Sequence, residues 1–325
     1  MVIKKVVVLG GGTGSFVILS GLKNYPLDLT AITAVTDSGG STGRLRTEFG
    51  FLPVGDMRQC LAALAPNKSA VRKLLRYRFH KGRGLKGHNL GNLILTALTD
   101  LTGSEPRALE TAAQIFRLQG KILPITRANI QLKAVYQNGR TITGEHQIDE
   151  PRHQGGQKIV RLTTKPEANV YPPAEKAILE ADLIVLAPGD LYTSLLPNLI
   201  IKRVKKAFSQ TKAQIIYVVN LMTRFSQTHQ MTASDHLQEV EKYLGRRVDF
   251  VFLNNGRAPA KILKLYQQEK GFPVKDDFKT KNHFQLIRKN FLAPKIVIKP
   301  KGDVLQRSYL RHDSGKLARA IVNCL

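Results

Sequence analysis

Twice within the first 44 residues a short apolar run ends in a glycine-rich turn, and this pattern restricts the folds open to the chain. The first run, residues 5–9, precedes a turn at 10–14, and the second, 29–35, precedes a turn at 36–44. Helix-spaced apolar residues follow the first turn, at 16–22. A strand, a glycine loop and a helix in this order form the phosphate-binding unit of α/β folds, because glycines let backbone N–H groups approach an anion.

The rest of the chain extends this α/β pattern. Apolar runs predict further strands at residues 182–186, 215–219 and 248–253, with helical segments between them. The carboxyl ends of parallel strands meet at one edge of a sheet, so both glycine-rich turns should open onto one crevice. The predicted fold class is α/β, with a Rossmann-like, doubly wound and mostly parallel sheet.

A small β-rich insertion is predicted at about residues 121–170. Alternating runs at 130–136 and 140–146 flank a turn that contains Asn138-Gly139, and they predict a hairpin. A further strand is predicted at 157–164. We interpret this block as an insertion in a single domain that spans residues 1–325.

The segment after Gly256 is basic and less regular, from about 257 to 325. It contains a predicted strand at 296–298. A final helix is predicted at 314–324, with Asp313 or Ser314 as its N-cap.

Other helix boundaries follow from capping and proline signals. Ser15 is the expected N-cap of the first helix, and Asp56 is the expected cap of a helix that runs to Leu64. Pro106 should lie at the start of a helix that ends near Leu118. The remaining helices are predicted at residues 71–79, 90–98, 173–180, 196–208 and 234–244.

Composition limits the class of protein. The 325 residues are 42% hydrophobic, which is enough for a large core. No apolar run approaches the ~20 residues that span a bilayer, and the N-terminus shows no cleavable signal pattern. Cys60 and Cys324 are too few for a disulfide framework, so we expect a reducing cytoplasm and two buried, inert thiols.

The formal net charge of +26 predicts attraction to anions. Residues 68–86 alone hold eight basic side chains and no acidic one. We nevertheless expect no specific nucleic-acid partner, because the chain shows neither zinc-ligand spacing nor an RNA-binding aromatic signature. A nucleic-acid role would instead predict binding that falls steeply with salt.

The two glycine-rich turns and three later polar segments are expected to hold the phosphates and the remainder of a nucleotide ligand. The first turn comes near the dinucleotide fingerprint, although Ser15 stands at its third glycine. In the second turn Arg44 offers a two-pronged charged contact. The predicted nucleotide- and phosphate-binding residues are Gly11, Gly12, Thr13, Gly14, Asp37, Gly39, Gly40, Ser41, Gly43, Arg44, Lys86, His88, Asn89, Pro188, Gly189, Thr193, Ser194, Asn220 and Asn254.

Several of these residues have a plain structural alternative. Asp37 could ligate Mg²⁺, act as a base or cap the following turn, and Asp56 could supply a second carboxylate to a metal. His88 is a candidate acid/base group. Asn89 is as well suited to an N-cap as to a ligand, and Asn220, like the asparagine at 254, could simply end its strand. The sequence contains no recognisable nucleophile–base–acid triad motif.

Taken together, five motifs resemble the bacterial gluconeogenesis factor family, which is related to 2-phospho-L-lactate transferase. The resemblance runs from about residue 5 to beyond 255. Its motifs are Gly-Gly-Gly-Thr-Gly at 10–14, Asp37 with Gly-Gly-Ser-Thr-Gly-Arg-Leu-Arg at 39–46, Gly-Asp-Met-Arg at 55–58, the segment 84–92, and Ala-Pro-Gly-Asp-Leu-Tyr-Thr-Ser-Leu-Leu-Pro-Asn at 187–198.

The resemblance implies a cytoplasmic protein that binds UDP-sugars such as UDP-N-acetylglucosamine without turnover. It also implies a role in cell shape and cell-wall precursor balance during gluconeogenic growth, with protein partners in cell-wall control. A homo-oligomer is compatible with this role. The related transferase has an acidic pair where this chain has Asp37 and Ser38. That departure weakens the expectation of transferase chemistry.

The sequence is therefore compatible with two functions from different classes, and a third function has weaker support from the motifs. The first is a nucleotide-sugar sensor with no obligatory cofactor, and the second is a Mg²⁺-dependent phospho-group transferase that uses Asp37, Asp56 and His88. Nicotinamide redox chemistry rests on the first glycine turn alone. Release of a nucleoside monophosphate would favour the transferase.

Overall fold

A computed structural model of the chain describes residues 2–67, 69–150, 156–279, 281–297 and 308–325. Ten strands of this described part of the chain form two sheets. They are β1 (Lys4–Gly10), β2 (Leu27–Thr33), β3 (Lys121–Pro124), β4 (Gln131–Tyr136), β5 (Thr141–Thr143), β6 (Ile159–Lys165), β7 (Leu183–Leu186), β8 (Gln214–Val218), β9 (Phe250–Asn254) and β10 (Gln285–Lys289).

The large sheet has seven strands in the order β10-β9-β8-β7-β1-β2-β3, and all of its neighbouring pairs are parallel. The chain builds outward from β1 to β3, then returns to the other side of β1 with β7. This reversal is the topological switch point of a doubly wound sheet. The predicted Rossmann-like α/β class is confirmed.

Apolar runs explain why the central strands form. The four residues of β7 are fully buried, and so are the last five of β1. Continuous apolar runs of this kind are typical of parallel strands that are covered on both faces by helices.

The insertion forms a separate three-stranded antiparallel sheet in the order β5-β4-β6. The hairpin predicted around Asn138-Gly139 is present, with Gly139 at a φ of +81°. The first strand of the predicted block, β3, instead pairs with β2 in the large sheet. A short helix that the sequence did not predict follows the hairpin.

Thirteen α-helices lie in the described part of the chain. They are α1 (Gly12–Leu22), α2 (Gly40–Phe49), α3 (Gly55–Leu64), α4 (Ala70–Arg76), α5 (Leu90–Thr102), α6 (Glu105–Ile115), α7 (Glu145–Asp149), α8 (Pro172–Glu180), α9 (Leu196–Leu199), α10 (Val204–Gln210), α11 (Ala233–Leu244), α12 (Ala260–Gln268) and α13 (Ser314–Val322). None of the described helices is long and apolar enough to cross a membrane.

Two capping predictions at the crevice are wrong. Ser15 lies inside α1, which begins three residues earlier at Gly12, a residue with a φ of +54°. Asp56 lies in the first turn of α3, whose N-cap is Val54. Asp313 caps α13 by accepting from the Lys316 N–H at 2.8 Å.

The helix predicted at residues 196–208 is broken. A π-helical turn at Leu191–Leu195 leads into α9, and Arg203, with a φ of +73°, separates α9 from α10. A left-handed residue cannot continue an α-helix, which explains the break.

The C-terminal segment supplies the last strand of the large sheet, β10, which the sequence did not predict. In the strand predicted at 296–298, residues 296 and 297 are not in a strand, and Ile298 lies outside the described residues. The final helix, α13, packs closely on α1, because a Cβ at Gly21 would overlap the carbonyl oxygen of Ser314.

Candidate functional site

A cleft of about 870 Å³ opens at the carboxyl edge of the large sheet, beside the switch point between β1 and β7. The loops after β1, β2, β7 and β8 line it, together with α7 of the insertion and the segment 308–312 near the C-terminus. Ligands of open α/β sheets bind at this place, so the cleft is the candidate functional site.

Three helices begin in the cleft without a side-chain cap. The N-caps of α1, α2 and α3 are Gly11, Gly39 and Val54, and none of these residues offers a side-chain acceptor to the free N–H groups. Uncapped N–H groups and the positive end of the helix dipole favour an anion such as phosphate. The arrangement can therefore hold a diphosphate between α1 and α2.

Close backbone packing requires the glycines of the first loop. A Cβ at Gly14 would overlap the carbonyl oxygen of Pro188, and a Cβ at Gly10 would lie 2.9 Å from the Ala187 Cβ. The loop after β1 and the loop after β7 thus touch at the floor of the cleft. This contact fixes the position of the α1 N-terminus relative to the loop after β7.

Two carboxylates approach the glycines of this region. The Asp37 Oδ2 atom lies 2.5 Å from the position a Cβ would take at Gly55, and Asp56 would overlap a Cβ at Gly11. Both carboxylates therefore stand beside the helix ends. Asp37 also accepts from the Gly39 N–H at 3.0 Å, so of its three predicted roles the cap of the following turn is present.

The cleft is acidic although the chain is strongly basic. Seven carboxylates line it, against four arginines and, among the described residues, no lysine. The acidic residues are Asp37, Asp56, Glu145, Asp149, Glu150, Asp190 and Glu269, and the arginines are Arg58, Arg78, Arg224 and Arg311. A cleft with this balance is poorly suited to a polyanionic nucleic-acid backbone.

Glu145 of the insertion lies beside Ser38, the residue that stands where the related transferase has the second acid of its pair. The Ser38 N–H donates to Glu145 Oε2 at 3.3 Å, and its hydroxyl accepts from the His146 N–H at 3.0 Å. Burial, and then the charges of Asp37 and Asp149, raise the pKa of Glu145 well above its ordinary value. Asp37 and Glu145 thus form an acidic pair through space, which local sequence spacing does not reveal.

A polar network joins the insertion to the loop after β8. Arg224 Nη2 donates to Asp149 Oδ2 at 2.6 Å, and its Nη1 lies 3.4 Å from Asp190. Burial and the charge of Asp190 raise the pKa of Asp149 to about 7 against the opposing effect of Arg224. Gln227 donates to Asp149 at 2.7 Å and accepts from the Tyr192 N–H at 3.1 Å.

The structure brings most of the predicted binding residues into one cleft. The predicted residues that line it are Gly11, Gly12, Thr13, Gly14, Asp37, Gly39, Ser41, Pro188, Gly189, Thr193, Ser194 and Asn220, and the predicted metal ligand Asp56 lines it too. Those that do not are Gly40, Gly43, Arg44, Lys86, His88, Asn89 and Asn254.

The three predicted asparagines all contact backbone. Asn89 caps α5 by accepting from the Gly91 and Asn92 N–H groups at 2.9 and 3.3 Å. Asn220 donates to the Gly189 carbonyl at 2.6 Å and accepts from its N–H, so it fixes the loop after β7. Asn254 accepts from the Phe291 N–H at 2.9 Å.

His88 is buried behind the second glycine loop. Its Nδ1 atom lies 3.2 Å from the Ser41 hydroxyl, which in turn accepts from the amide of Asn92. Burial, and then the positive charge of Arg44, lower the pKa of His88. A neutral imidazole here supports Ser41, which itself lines the cleft.

Sequence reasoning missed the residues that come from the insertion and from the loop after β8. Glu145, Asp149, Arg224 and Gln227 follow no glycine loop and match no motif. The available signal was local: α7 holds two acids four residues apart, directly after a hairpin, in a chain with few acids.

The candidate metal ligands do not complete a protein-only metal centre. Within the described ranges, no group of three His, Cys, Asp or Glu side chains is arranged to hold a metal ion. Mg²⁺ is commonly bound by one or two carboxylates together with substrate phosphates. Asp37 and Asp56 fit that manner of binding, in which the ligand supplies the remaining oxygens.

The fold and this cleft define the class of protein. A family model described as 2-phospho-L-lactate transferase CofD matches residues 6–292. The chain therefore belongs to the CofD family.

Within that family its relatives include the gluconeogenesis factors. The gluconeogenesis factor of Bacillus subtilis is 38% identical over 325 residues, which cover 99% of this chain and 98% of that protein. The gluconeogenesis factor of Halalkalibacterium halodurans is 37% identical over 322 residues, which cover 98% and 96%. A crystal structure of a Bacillus halodurans protein has a TM-score of 0.88 at 36% identity and covers 99% of both chains. The resemblance inferred from five motifs is confirmed.

Proposed function

We propose that this protein binds a nucleotide-sugar, of which UDP-N-acetylglucosamine is the first candidate, and acts as a regulatory sensor. The diphosphate lies between the N-termini of α1 and α2, at Gly11–Gly14 and Gly39. The observation that carries the proposal is the convergence of three uncapped helix N-termini in one cleft at the switch point.

The carboxylates of the cleft support a sugar next to the diphosphate. Asp37, Glu145 and Asp149 line the same cleft as the α1 loop and can accept hydrogen bonds from sugar hydroxyls. A sugar carries several hydroxyl donors and no charge, so it suits an acidic wall better than further phosphate does.

The proposed cellular setting is the bacterial cytoplasm, where nucleotide-sugars supply cell-wall synthesis. The relatives named gluconeogenesis factor support a role during gluconeogenic growth. A sensor of a cell-wall precursor would link carbon supply to cell shape through protein partners.

A Mg²⁺-dependent phospho-group transferase is the second candidate. The family description favours it, and so does the placement of Asp37 and Asp56 beside the uncapped helix ends. A bound Mg²⁺ would neutralise charge on a leaving phosphate, and these two carboxylates would hold it. Under this alternative, binding requires Mg²⁺ and a nucleoside monophosphate is released.

Introducing a carboxylate at the α1 N-terminus tests the proposed diphosphate position. Thr13 is the second residue of α1 and lines the cleft. In Thr13→Asp the new charge suits a helix N-terminus, so the fold should survive, but the charge repels a diphosphate. We expect calorimetry to show UDP-sugar affinity reduced at least roughly 10-fold, since like charges at close range cost several kcal/mol when desolvated.

The matched control is Ala260→Asp, which places the same charge at the exposed N-terminus of α12, at a residue that does not line the cleft. It should bind UDP-sugar like the wild type. Equal affinity in both variants would place the diphosphate elsewhere and contradict the proposal.

A further inference from the structure

A second feature is a long stretch of the chain that holds no acidic residue and of which only a few described residues, among them Arg58 and Arg78, line the cleft. No Asp or Glu occurs between Asp56 and Asp100. The centre of this stretch, residues 73–86, contains Lys73, Arg76, Arg78, Lys81, Arg83 and Lys86. We refer to residues 73–86 as the basic segment. All of these cations except Arg78 are exposed.

The exposed cations of the basic segment form no ion pair with the acidic residues that the structure describes. Among the ion pairs of the described residues, none involves Lys73, Arg76, Lys81 or Arg83. Arg44 of α2 adds to the same region, since its Nη2 donates to the Lys86 carbonyl at 3.2 Å. The segment therefore presents uncompensated positive charge.

Large apolar side chains are exposed among these cations. Leu74 is 47% exposed, Tyr77 is 45% exposed and Leu85 is 41% exposed. Single exposed apolar residues are ordinary on protein surfaces. Three of them within twelve residues, each next to a cation in the sequence, are more than a purely polar, solvated surface would show.

The basic segment is held in a fixed shape. Arg78 and Asn89 form an antiparallel bridge, and the Gly87 N–H donates to the Phe79 carbonyl at 2.8 Å. The Arg78 Nη1 atom donates to the Gly87 carbonyl at 2.7 Å. Gly82 and Gly84 have φ values of +97° and +78°, which allow a tight loop at the tip. Residues 78–89 therefore form a preformed loop that carries Lys81, Arg83 and Leu85, while Lys73, Leu74 and Arg76 lie on the preceding helix, α4.

We propose that the basic segment docks this protein on the surface of an anionic phospholipid bilayer. Lysines and arginines pair with anionic headgroups, while the two leucines insert at the headgroup–acyl boundary and Tyr77 lies at the interface. Interleaved cations and aliphatic side chains are the pattern of peripheral membrane binding. A single-stranded nucleic acid would instead need several aromatic faces for base stacking, and two of the three large exposed side chains of the segment are leucines, with Tyr77 the one aromatic among them.

Vesicle sedimentation with the full chain tests this proposal. The probes are vesicles of phosphatidylcholine with 30% phosphatidylglycerol and vesicles of phosphatidylcholine alone, and a fluorescent oligouridylate serves as the competing anion. The test variant is Lys73→Gln/Lys81→Gln/Arg83→Gln. Each cation near an anionic leaflet contributes ~1 kcal/mol, so the triple variant should partition on the order of 100-fold more weakly.

The matched control removes the same charge elsewhere. Lys206, Lys212 and Lys261 are exposed and form no ion pair with described residues, so Lys206→Gln/Lys212→Gln/Lys261→Gln has the same net charge as the test variant. A second variant, Leu74→Ser/Leu85→Ser, keeps every charge. We expect the control to sediment like the wild type, and we expect the leucine variant to lose most of its binding at high salt.

Three results would overturn the proposal. One is equal loss in the test and control variants, which would mean that net charge alone causes binding. Another is the absence of sedimentation with anionic vesicles in the wild type. The third is a combined result: oligouridylate displaces the protein from vesicles, and the leucine variant binds vesicles as well as the wild type does. This result would indicate a nucleic-acid partner instead.

Discussion

Gly14 of α1 and the carbonyl of Pro188 approach so closely that no Cβ can be accommodated between them. The two loops that flank the switch point of the sheet are thereby joined at their backbones. One loop begins the helix whose N-terminus faces the cleft, and the other is fixed by Asn220. The geometry of the proposed phosphate site depends on this contact.

Gly14→Ala should therefore destabilise the protein. The added methyl group meets backbone rather than a mobile side chain, so both loops must move, at a cost of roughly 1–3 kcal/mol or more. Urea unfolding measures the change. The control Gly315→Ala in the first turn of α13 meets only ordinary contacts and should be neutral or slightly stabilising. Equal stability of Gly14→Ala and the wild type would contradict the close approach.

Asn89→Ala should destabilise α5. Asn89 is buried, and its side chain satisfies two N–H groups of the first helical turn. Loss of such a cap costs about 1–2 kcal/mol. Asn89→Asp retains the acceptor and should recover most of the loss in thermal or urea unfolding. A ligand role alone predicts that Asn89→Ala leaves unfolding unchanged in the absence of ligand.

Gln227→Leu should loosen the contact between the insertion and the large sheet. The substitution preserves volume but leaves the buried Tyr192 N–H without its acceptor and removes a donor from Asp149. Unsatisfied buried groups cost about 1–3 kcal/mol each. Urea unfolding and faster amide exchange in α7 would report the change. Gln210→Leu, at the exposed end of α10, should alter the free energy of unfolding by less than about 0.5 kcal/mol.

Asp149→Asn should change how stability depends on pH. Burial raises the pKa of Asp149 to about 7, whereas an unfolded Asp has a pKa near 3.9. Between these values the folded state holds a proton that the unfolded chain releases, so this group's contribution falls as pH rises from about 4 to 7. The Asn variant lacks this group, and its free energy of unfolding should rise relative to that of the wild type across the window. A difference that is constant with pH would contradict the raised pKa.

The sequence was sufficient for the parts of the site that local patterns encode. The β-branched runs before residues 10 and 36 predict buried strands, which β1 and β2 confirm. The glycines after them do lie at the sheet edge, but most of them belong to the first turns of α1 and α2 rather than to loops. Because parallel strands align their carboxyl ends, the sequence predicts that Thr13 and Asp37 share one crevice, and both line the cleft. For Asn89 the sequence favours a cap and a ligand role equally, and only the hydrogen bonds of its side chain identify it as a cap.

The remaining parts depend on tertiary contacts that no local pattern records. Glu145 reaches the cleft only because Ser38 binds the first turn of α7. The strand β10 has the sequence Gln-Leu-Ile-Arg-Lys and is only partly buried at the sheet edge, so it lacks the apolar run that identified β1. The break before α10 depends on the left-handed Arg203, for which the sequence shows no glycine.

The central claim is that the cleft binds a nucleotide-sugar without turning it over. Calorimetric titration with UDP-N-acetylglucosamine, UDP-glucose, GDP and NAD, at two salt concentrations and with or without Mg²⁺, tests it most directly. Because the net charge of +26 attracts any anion, selectivity among ligands of similar charge is the informative quantity. The account predicts uridine-selective binding that persists at high salt, with the ligand recovered unchanged. Similar affinity for all four ligands that disappears with salt, or the absence of binding, would contradict it.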